Sequence, residues 1–81
     1  MALQMGRSLL RQRRKEAGFT QRRLAKSVGV GESFLSMVQN NQRKLSYELA
    51  VNIAHVLGCR EKDLHEWHEV PVSAMRLGDD E

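Results

Sequence analysis

The stretch QRRLAKSVGVGESFLSMVQN, residues 21–40, carries the clearest structural pattern in this chain of 81 residues. Apolar side chains recur at helical spacing, with Leu24 and Val28 in its first half and Leu35 and Val38 in its second. This spacing places them on one face of a helix. A Gly-Val-Gly segment separates the halves, where a tight turn needs backbone freedom. The stretch therefore predicts two short amphipathic helices joined by a turn.

Small residues stand where two helices joined in this way must approach each other. Ala25 lets the helices pack closely, and Gly29 allows the backbone geometry of the turn. In a helix-turn-helix the second helix lies in the major groove of DNA while the first crosses the backbone. The small and apolar positions together indicate this motif.

The charge of the chain differs between its two halves. Residues 1–44 hold ten Lys or Arg against two acids, a formal charge of +8, and residues 45–81 hold three against eight, a formal charge of −5. The simplest interpretation is a basic half that faces a polyanion and an acidic half that is turned away. A solvated charged surface without a partner is the alternative. The asymmetry favours double-stranded DNA as the partner.

Length and composition argue against other classes of function. A single domain of this size buries only about 60% of its unfolded surface, so it depends on local packing or on a partner subunit. Cys59 is the only cysteine, and no apolar run is long enough for a membrane span or a signal peptide. No Ser-His-acid or phosphate-loop signature is present. We expect a cytoplasmic protein that is neither an enzyme nor bound to a membrane.

Periodicity and capping residues predict an all-α fold, a compact five-helix domain at residues 1–69 followed by a C-terminal tail at residues 70–81. The predicted helices span residues 3–17, 21–28, 32–40, 47–57 and 60–68. Thr20 and Ser46 are suited to cap helix N-termini. Glycines suited to the left-handed conformation end three of the helices: Gly18, Gly29 and Gly58.

The first predicted helix and the loop after the third complete this picture. The helix is expected to bury one face, formed by Leu3, Gly6, Leu9 and Leu10. In the polar loop at residues 40–44, Asn41 tolerates a positive φ. No strand is expected, and Pro71 ends regular helix.

Many of these residues occur together in one known family. They are Gly6-Arg7, Arg14-Lys15-Glu16-Ala17-Gly18-Phe19-Thr20-Gln21, Leu24-Ala25, Val28-Gly29-Val30, Leu35-Ser36, Ser46, Ile53-Ala54, Leu57-Gly58 and Asp63-Leu64. On them the chain resembles the Cro/CI-type, lambda-repressor-like (XRE-type) helix-turn-helix family of phage and bacterial repressors, over about residues 6–67. The resemblance implies a sequence-specific transcriptional regulator of prokaryotic or phage origin, associated with the nucleoid.

The resemblance also implies site residues. The positions that match base-reading residues are Gly31, Glu32, Ser33, Ser36 and Met37. The expected phosphate contacts come from Arg14, Gln21, Asn40, Arg43 and Lys44. Physical chemistry also supports a phosphate contact by Gln21, because an amide at a helix N-terminus extends a site that already favours anions.

Several positions depart from the family pattern and leave alternatives open. Glu32 either accepts a hydrogen bond from cytosine N4 or only complements the helix dipole. Met37 either touches a thymine methyl group or fills a gap in the core. We expect Phe34 to pack against the second helix. Gln39 replaces a glutamate that pairs with an arginine, here Arg14, so a neutral hydrogen bond is expected and Arg14 is freer to reach a phosphate. A different loop path is expected where a glycine and a proline are replaced, at Asn41 and Leu45.

The C-terminal part raises the question of partners. The predicted homodimer interface comprises Leu64, Trp67, Val70 and Val72, and it would hold two recognition helices about 34 Å apart. Alternatively Trp67 covers its own core, and the segment from Val70 to Ala74 is either an extended interface strand or a disordered tail. A rival function is a protein-interaction module, antitoxin-like or anti-repressor. The three possible metal ligands Cys59, His65 and His68 are too few for a zinc site, so no metal or other cofactor is expected.

Overall fold

The computed structural model describes residues 1–74, and residues 75–81, including the acidic end of the predicted tail, lie outside the described part. In chain order the elements are β1 Ala2–Ser8, α1 Leu10–Glu16, α2 Gln21–Val28, α3 Glu32–Gln39, α4 Tyr47–Leu57, a 3₁₀ turn Glu61–Leu64, β2 His65–Val70 and a second 3₁₀ turn Val72–Ala74. The three middle helices lie where the sequence predicts them.

The predicted capping residues define the ends of these helices. The Thr20 hydroxyl accepts from the amide of Arg23 at 3.1 Å, and the Ser46 hydroxyl accepts from Leu49 at 3.2 Å. Glycines in the left-handed conformation follow three helices: Gly18, Gly29 and Gly58. Asn41 also has a positive φ, of 64°. The local predictions at the helix ends are therefore confirmed.

One hydrophobic core joins the four helices and the first 3₁₀ turn. Its buried members are Leu10, Leu24, Ala25, Leu35, Val38, Ile53, Ala54 and Leu64. Because these residues are contributed by successive short elements, the packing is largely local. α2 packs against both α3 and α4 and so holds the centre of the domain.

The first predicted helix is wrong in its N-terminal half, because residues 2–8 form strand β1 and α1 begins only at Leu10. Of the four side chains expected to be buried there, only Leu10 is, and Leu3 is 56% exposed. Glycine is unfavourable in a helix by about 1 kcal/mol. A Cβ on Gly6 would also lie 2.5 Å from Nε2 of His68, so a larger residue at this position of β1 would require the His68 side chain to move.

The fifth predicted helix is also wrong, and the fold is not all-α. After the short 3₁₀ turn the chain continues as β2, which pairs antiparallel with β1. The pairs are Ala2 with Val70, Leu3 with Glu69, Gln4 with His68, Met5 with Trp67 and Ser8 with His65, with an irregularity between Met5 and Ser8. We call β1 and β2 together the terminal ribbon.

None of the helices in the described residues 1–74 is long and apolar enough to cross a membrane.

Candidate nucleic-acid interface

The start of α3 projects from the domain while its other face is buried. Leu35, Val38 and Gln39 are buried against the core. The predicted base-reading residues occupy the other side: Gly31, Glu32 and Ser33 are exposed, and Ser36 and Met37 are half-buried one turn later. The turn before α3 is held by the amide of Val30, which donates to the carbonyl of Ala25 at 3.0 Å. The start of α3 is thus exposed and follows a hydrogen-bonded turn.

A chain of side-chain hydrogen bonds connects α1, α2 and α3. Arg14 donates through Nε to Oε1 of Gln39 at 3.2 Å and through Nη1 to the carbonyl of Phe19 at 2.8 Å. Gln39 donates through Nε2 to Oε1 of Gln21 at 2.6 Å. Gln21 in turn donates through Nε2 to the carbonyl of Glu32 at 3.1 Å. We call Arg14, Gln39 and Gln21 the amide relay. Its first link is the predicted hydrogen bond from the Arg14 guanidinium to the uncharged amide of Gln39.

The direction of the amide relay follows from the chemistry of its first member. A guanidinium has only donors, so Gln39 must turn its oxygen toward Arg14 and its NH₂ toward Gln21. Gln21 must then direct its oxygen inward and its NH₂ outward, to the exposed start of α3. Gln39 is only 6% exposed, so an unpaired amide there would be costly. The relay therefore fixes a hydrogen-bond donor at the N-terminus of α2, where a phosphate is best bound.

The loop after α3 is stabilised by backbone bonds and by contacts to the N-terminal segment. The amides of Asn41 and Gln42 donate to the carbonyls of Val38 at 3.1 Å and Met37 at 2.8 Å, the bonding pattern of a Schellman motif. Oδ1 of Asn41 accepts from the amide of Ser8 at 2.8 Å. The loop is thus held beside the end of β1.

The predicted phosphate-contacting residues of this loop, Asn40, Arg43 and Lys44, are all exposed. Cζ of Arg43 lies 5.5 Å from the centre of the Phe34 ring, in a cation–π contact. Phe34 itself is half-buried and packs against the core. Arg43 is thereby held alongside α3.

Arg11 is a further cation at this surface that the sequence analysis did not single out. Its Nη2 donates to Oδ1 of Asn40 at 3.2 Å. Arg11, Arg7 and Lys15 line one groove beside Gln39 and Asn41. These cations lie close to Arg14 in the sequence, which is a signal for a basic surface. Their position beside the end of α3 follows only from the structure.

Arg14 itself is half-buried, and two of its donors are already used inside the domain. The guanidinium therefore lies behind Gln21 and α3. Any phosphate contact by Arg14 has to come from its remaining N–H groups.

The predicted dimer residues are divided between core and surface. Leu64 has no exposed surface and belongs to the core of its own chain. Trp67 is 39% exposed, and its Nε1 donates to the carbonyl of Lys62 at 2.7 Å. Val72 is exposed and Val70 is half-buried. The exposed members belong to β2 and the turn that follows it.

The histidines and the cysteine are not arranged around a common point. Because β2 is a strand, His65 and His68 lie on opposite faces. In the described residues 1–74, no three side chains of the metal-binding types are grouped to hold an ion. Burial raises the pKa of the Cys59 thiol. Burial, with a smaller contribution from Lys44, lowers the pKa of His65.

Comparison with known proteins identifies the helical part. A family model described as helix-turn-helix matches residues 10–64. The chain is 37% identical over 54 residues to YqaF, an uncharacterized HTH-type transcriptional regulator of Bacillus subtilis (strain 168), covering 67% of this chain and 71% of YqaF.

Solved structures agree with this match. The clp gene regulator ClgR from C. glutamicum has a TM-score of 0.63 and 33% identity, over 68% of this chain and 70% of ClgR. SinR, the master regulator for biofilm formation, in complex with DNA has a TM-score of 0.63 and 30% identity, over 68% of this chain and 89% of SinR. A chain of the SinR–SinI protein complex also matches, with a TM-score of 0.62 and 30% identity, over 68% of this chain and 54% of the matched chain. The protein therefore belongs to the helix-turn-helix family, in its lambda-repressor-like (XRE-type) branch.

Proposed function

We propose that this protein is a sequence-specific DNA-binding transcriptional regulator, acting as a repressor and binding as a homodimer. One observation carries the proposal: potential phosphate contacts lie at both ends of α3, because Gln21 bonds to the carbonyl of Glu32 at its exposed start and the exposed residues 40–44 follow its last turn. A helix that enters the major groove needs this arrangement, because backbone contacts on both sides fix its register.

Base reading falls to the exposed end of α3. Ser33 and Ser36 carry hydroxyl groups that both donate and accept. Glu32 accepts from cytosine N4, and Met37 contacts a thymine methyl group. Gly31 lets the backbone approach the bases. Discrimination between sequences then depends on few side chains, and most of the affinity comes from phosphate contacts.

Salt dependence tests the electrostatic part of this proposal. If about six phosphates are neutralised, log affinity falls with log salt at a slope of about −5. Fluorescence anisotropy of a labelled duplex between about 50 and 200 mM salt measures this slope. A slope near zero would contradict the proposed contacts of Arg43, Lys44 and their neighbours.

In vitro selection tests sequence specificity and symmetry. The purified chain is incubated with random duplex DNA at about 150 mM salt, where nonspecific binding is weak. A two-fold related motif with half-sites about one helical turn apart is expected from a homodimer. Recovery of no motif would contradict a sequence-specific regulator.

A protein-interaction module is the second candidate. It is supported by the SinR–SinI complex among the similar structures, which is a complex of two proteins. In this function the exposed surface of α3 or Trp67 would bind a protein. The basic half of the chain argues against it. A stoichiometric protein partner together with no duplex affinity at about 150 mM salt would reverse the ranking.

A further inference from the structure

The terminal ribbon exposes three large apolar side chains on one of its faces. Cross-strand neighbours share a face of a sheet, so Leu3 and Met5 lie on the same side as Trp67. Their exposed fractions are 56%, 46% and 39%. The family match ends at Leu64, so both strands lie outside the matched helical unit.

The ribbon is also incomplete as a sheet. Within residues 1–74 it has two strands, so each strand has one edge without a strand neighbour. Two strands alone are marginally stable in water, and a free edge offers backbone N–H and C=O groups for pairing with another strand. A partner that adds a strand would supply what the ribbon lacks.

The two edges are not equally available. In β1 the ladder is irregular between Met5 and Ser8, and such a bulge interrupts pairing. The amide of Ser8 is already bonded to Asn41. β2 has no bulge opposite this site, and its six residues run from His65 to Val70. The regular edge is therefore that of β2.

The sequence of β2 is complementary to itself when two copies run antiparallel. With Trp67 on the two-fold axis, His65 faces Glu69 of the partner subunit, and Glu66 faces His68 of the partner subunit. Each carboxylate then meets an imidazole, which donates a hydrogen bond and becomes a cation when protonated. Such cross-strand pairs stabilise a sheet.

Neighbouring registers lose this complementarity. An axis moved by half a residue along β2 is excluded, because side chains of opposite faces would then have to lie across from each other. Moves of a full residue place Glu66 or His68 opposite its own copy. Like charges directly opposite each other destabilise a sheet, so a single register is favoured.

We propose that the partner of the ribbon is a second copy of this chain, whose β2 pairs antiparallel with β2 around Trp67 to form a four-stranded sheet. This inference rests on the homodimer of the proposed function and names its contact. The sheet brings Leu3, Met5 and Trp67 of both copies onto one continuous apolar face. Leu64 takes no part, because it is buried in its own core.

A charge-exchange experiment tests the register. Glu66→Lys removes the carboxylate that faces His68 of the partner subunit, and His68→Glu places a carboxylate opposite Glu66 of the partner subunit. The side chains of Glu66 and His68 are 43% and 60% exposed, so folding is expected to persist. Sedimentation equilibrium without DNA is expected to show self-association weakened about tenfold in each variant, from two altered pairs per dimer. An equal mixture is expected to associate again, because the new lysine of one chain then faces the new glutamate of the other.

The matched control is Glu61→Lys, which makes the same charge change on an exposed residue outside β2 and leaves self-association unchanged. If either variant fails to fold, Glu69→Lys mixed with His65→Glu tests the outer pair by the same logic. A wild-type chain that remains monomeric at about 1 mM, or a mixture that associates no better than its separate components, would overturn the inference.

DNA affinity measured in parallel separates this inference from the proposed function. A monomer that binds duplex DNA specifically would overturn the β2 pairing and the homodimer, but not the sequence-specific regulator. A dimer of the expected register without duplex affinity at about 150 mM salt would instead overturn the proposed regulator.

Discussion

The helix-turn-helix unit and the terminal ribbon differ in how far their apolar side chains are buried and their polar groups are hydrogen-bonded. In the unit, Leu24 and Leu35 have no exposed surface, and the buried Gln39 is fully hydrogen-bonded. In the ribbon, the largest apolar side chains remain partly exposed, and within residues 1–74 each strand has one edge without a strand neighbour. The unit is therefore ordered without a partner, whereas the proposed dimer would extend the sheet of the ribbon.

Leucine truncation gives the largest expected contrast between the two regions. Leu24→Ala leaves a cavity in the core and is expected to lower the free energy of unfolding by about 2–5 kcal/mol. Leu3→Ala in the ribbon is expected to cost less than about 0.5 kcal/mol in the monomer, because that side chain is mostly exposed. Urea denaturation at low protein concentration measures both. Equal losses would show that the ribbon is packed as tightly as the core.

The amide relay gives the next effect. Gln39→Leu removes the partner of Arg14 and Gln21, so it is expected to lower the free energy of unfolding by about 1–3 kcal/mol. DNA affinity is expected to fall at all sequences alike, because Gln21 loses its fixed orientation. The loss should be smaller in a Gln21→Ala background. Additive losses would show that Gln39 does not act through Gln21.

Gln39→Glu separates the two roles of this position. The carboxylate gains an ion pair with Arg14, so stability is expected to recover relative to Gln39→Leu. A carboxylate has no donor for Gln21, which must turn its own NH₂ inward and direct its oxygen toward the phosphate site. DNA affinity is therefore expected to stay low. Wild-type affinity in a stable Gln39→Glu variant would contradict the directional relay.

Removal of a single DNA contact is expected to have a smaller effect, which is a loss of affinity for a phosphate contact and a change of base preference for a base contact. Arg43→Ala is expected to weaken binding uniformly across sequences and to reduce the salt slope by about 1. Ser33→Ala and Met37→Ala are expected to change the preferred bases instead. Repeating the in vitro selection with each variant measures the difference. An unchanged base profile for both α3 variants would remove these residues from base reading.

The pH dependence of His65 gives the smallest effect and concerns the ribbon. Its pKa in the folded protein lies below the ordinary value of 6.5. Between these two pKa values the unfolded chain binds more protons, so stability decreases as the pH falls through 6.5. His65→Gln is expected to remove this component, as measured by urea midpoints at about pH 7.5 and 5.5. An unchanged pH dependence of stability in the variant would show that groups other than His65 cause it.

The helix-turn-helix unit could be predicted from sequence because its determinants are local. Thr20, Gly29 and Asn41 act within a few residues of their own positions, and the apolar spacing in residues 21–40 reports directly on the buried face. The link from Arg14 to Gln39 was also predictable. The link from Gln39 to Gln21 was not, because it depends on how α2 and α3 pack.

The ribbon escaped prediction because its two strands come from opposite ends of the chain. Leu3, Leu9 and Leu10 have the spacing of one face of a helix, but only Leu10 is buried in the core. Residues around Trp67 likewise carry too few apolar side chains to reveal their period. β1 and β2 pair through residues far apart in the sequence, such as Met5 and Trp67, and no local pattern contains that information.

Nuclear magnetic resonance of the chain with its selected duplex, at about 150 mM salt, tests the central claim most directly. We expect backbone amide shifts at Gln21, at residues 31–37 and at residues 40–44, with little change on the exposed side of α4. Shifts confined to α4 or the terminal ribbon, with α3 unchanged, would show that DNA does not bind at the start of α3.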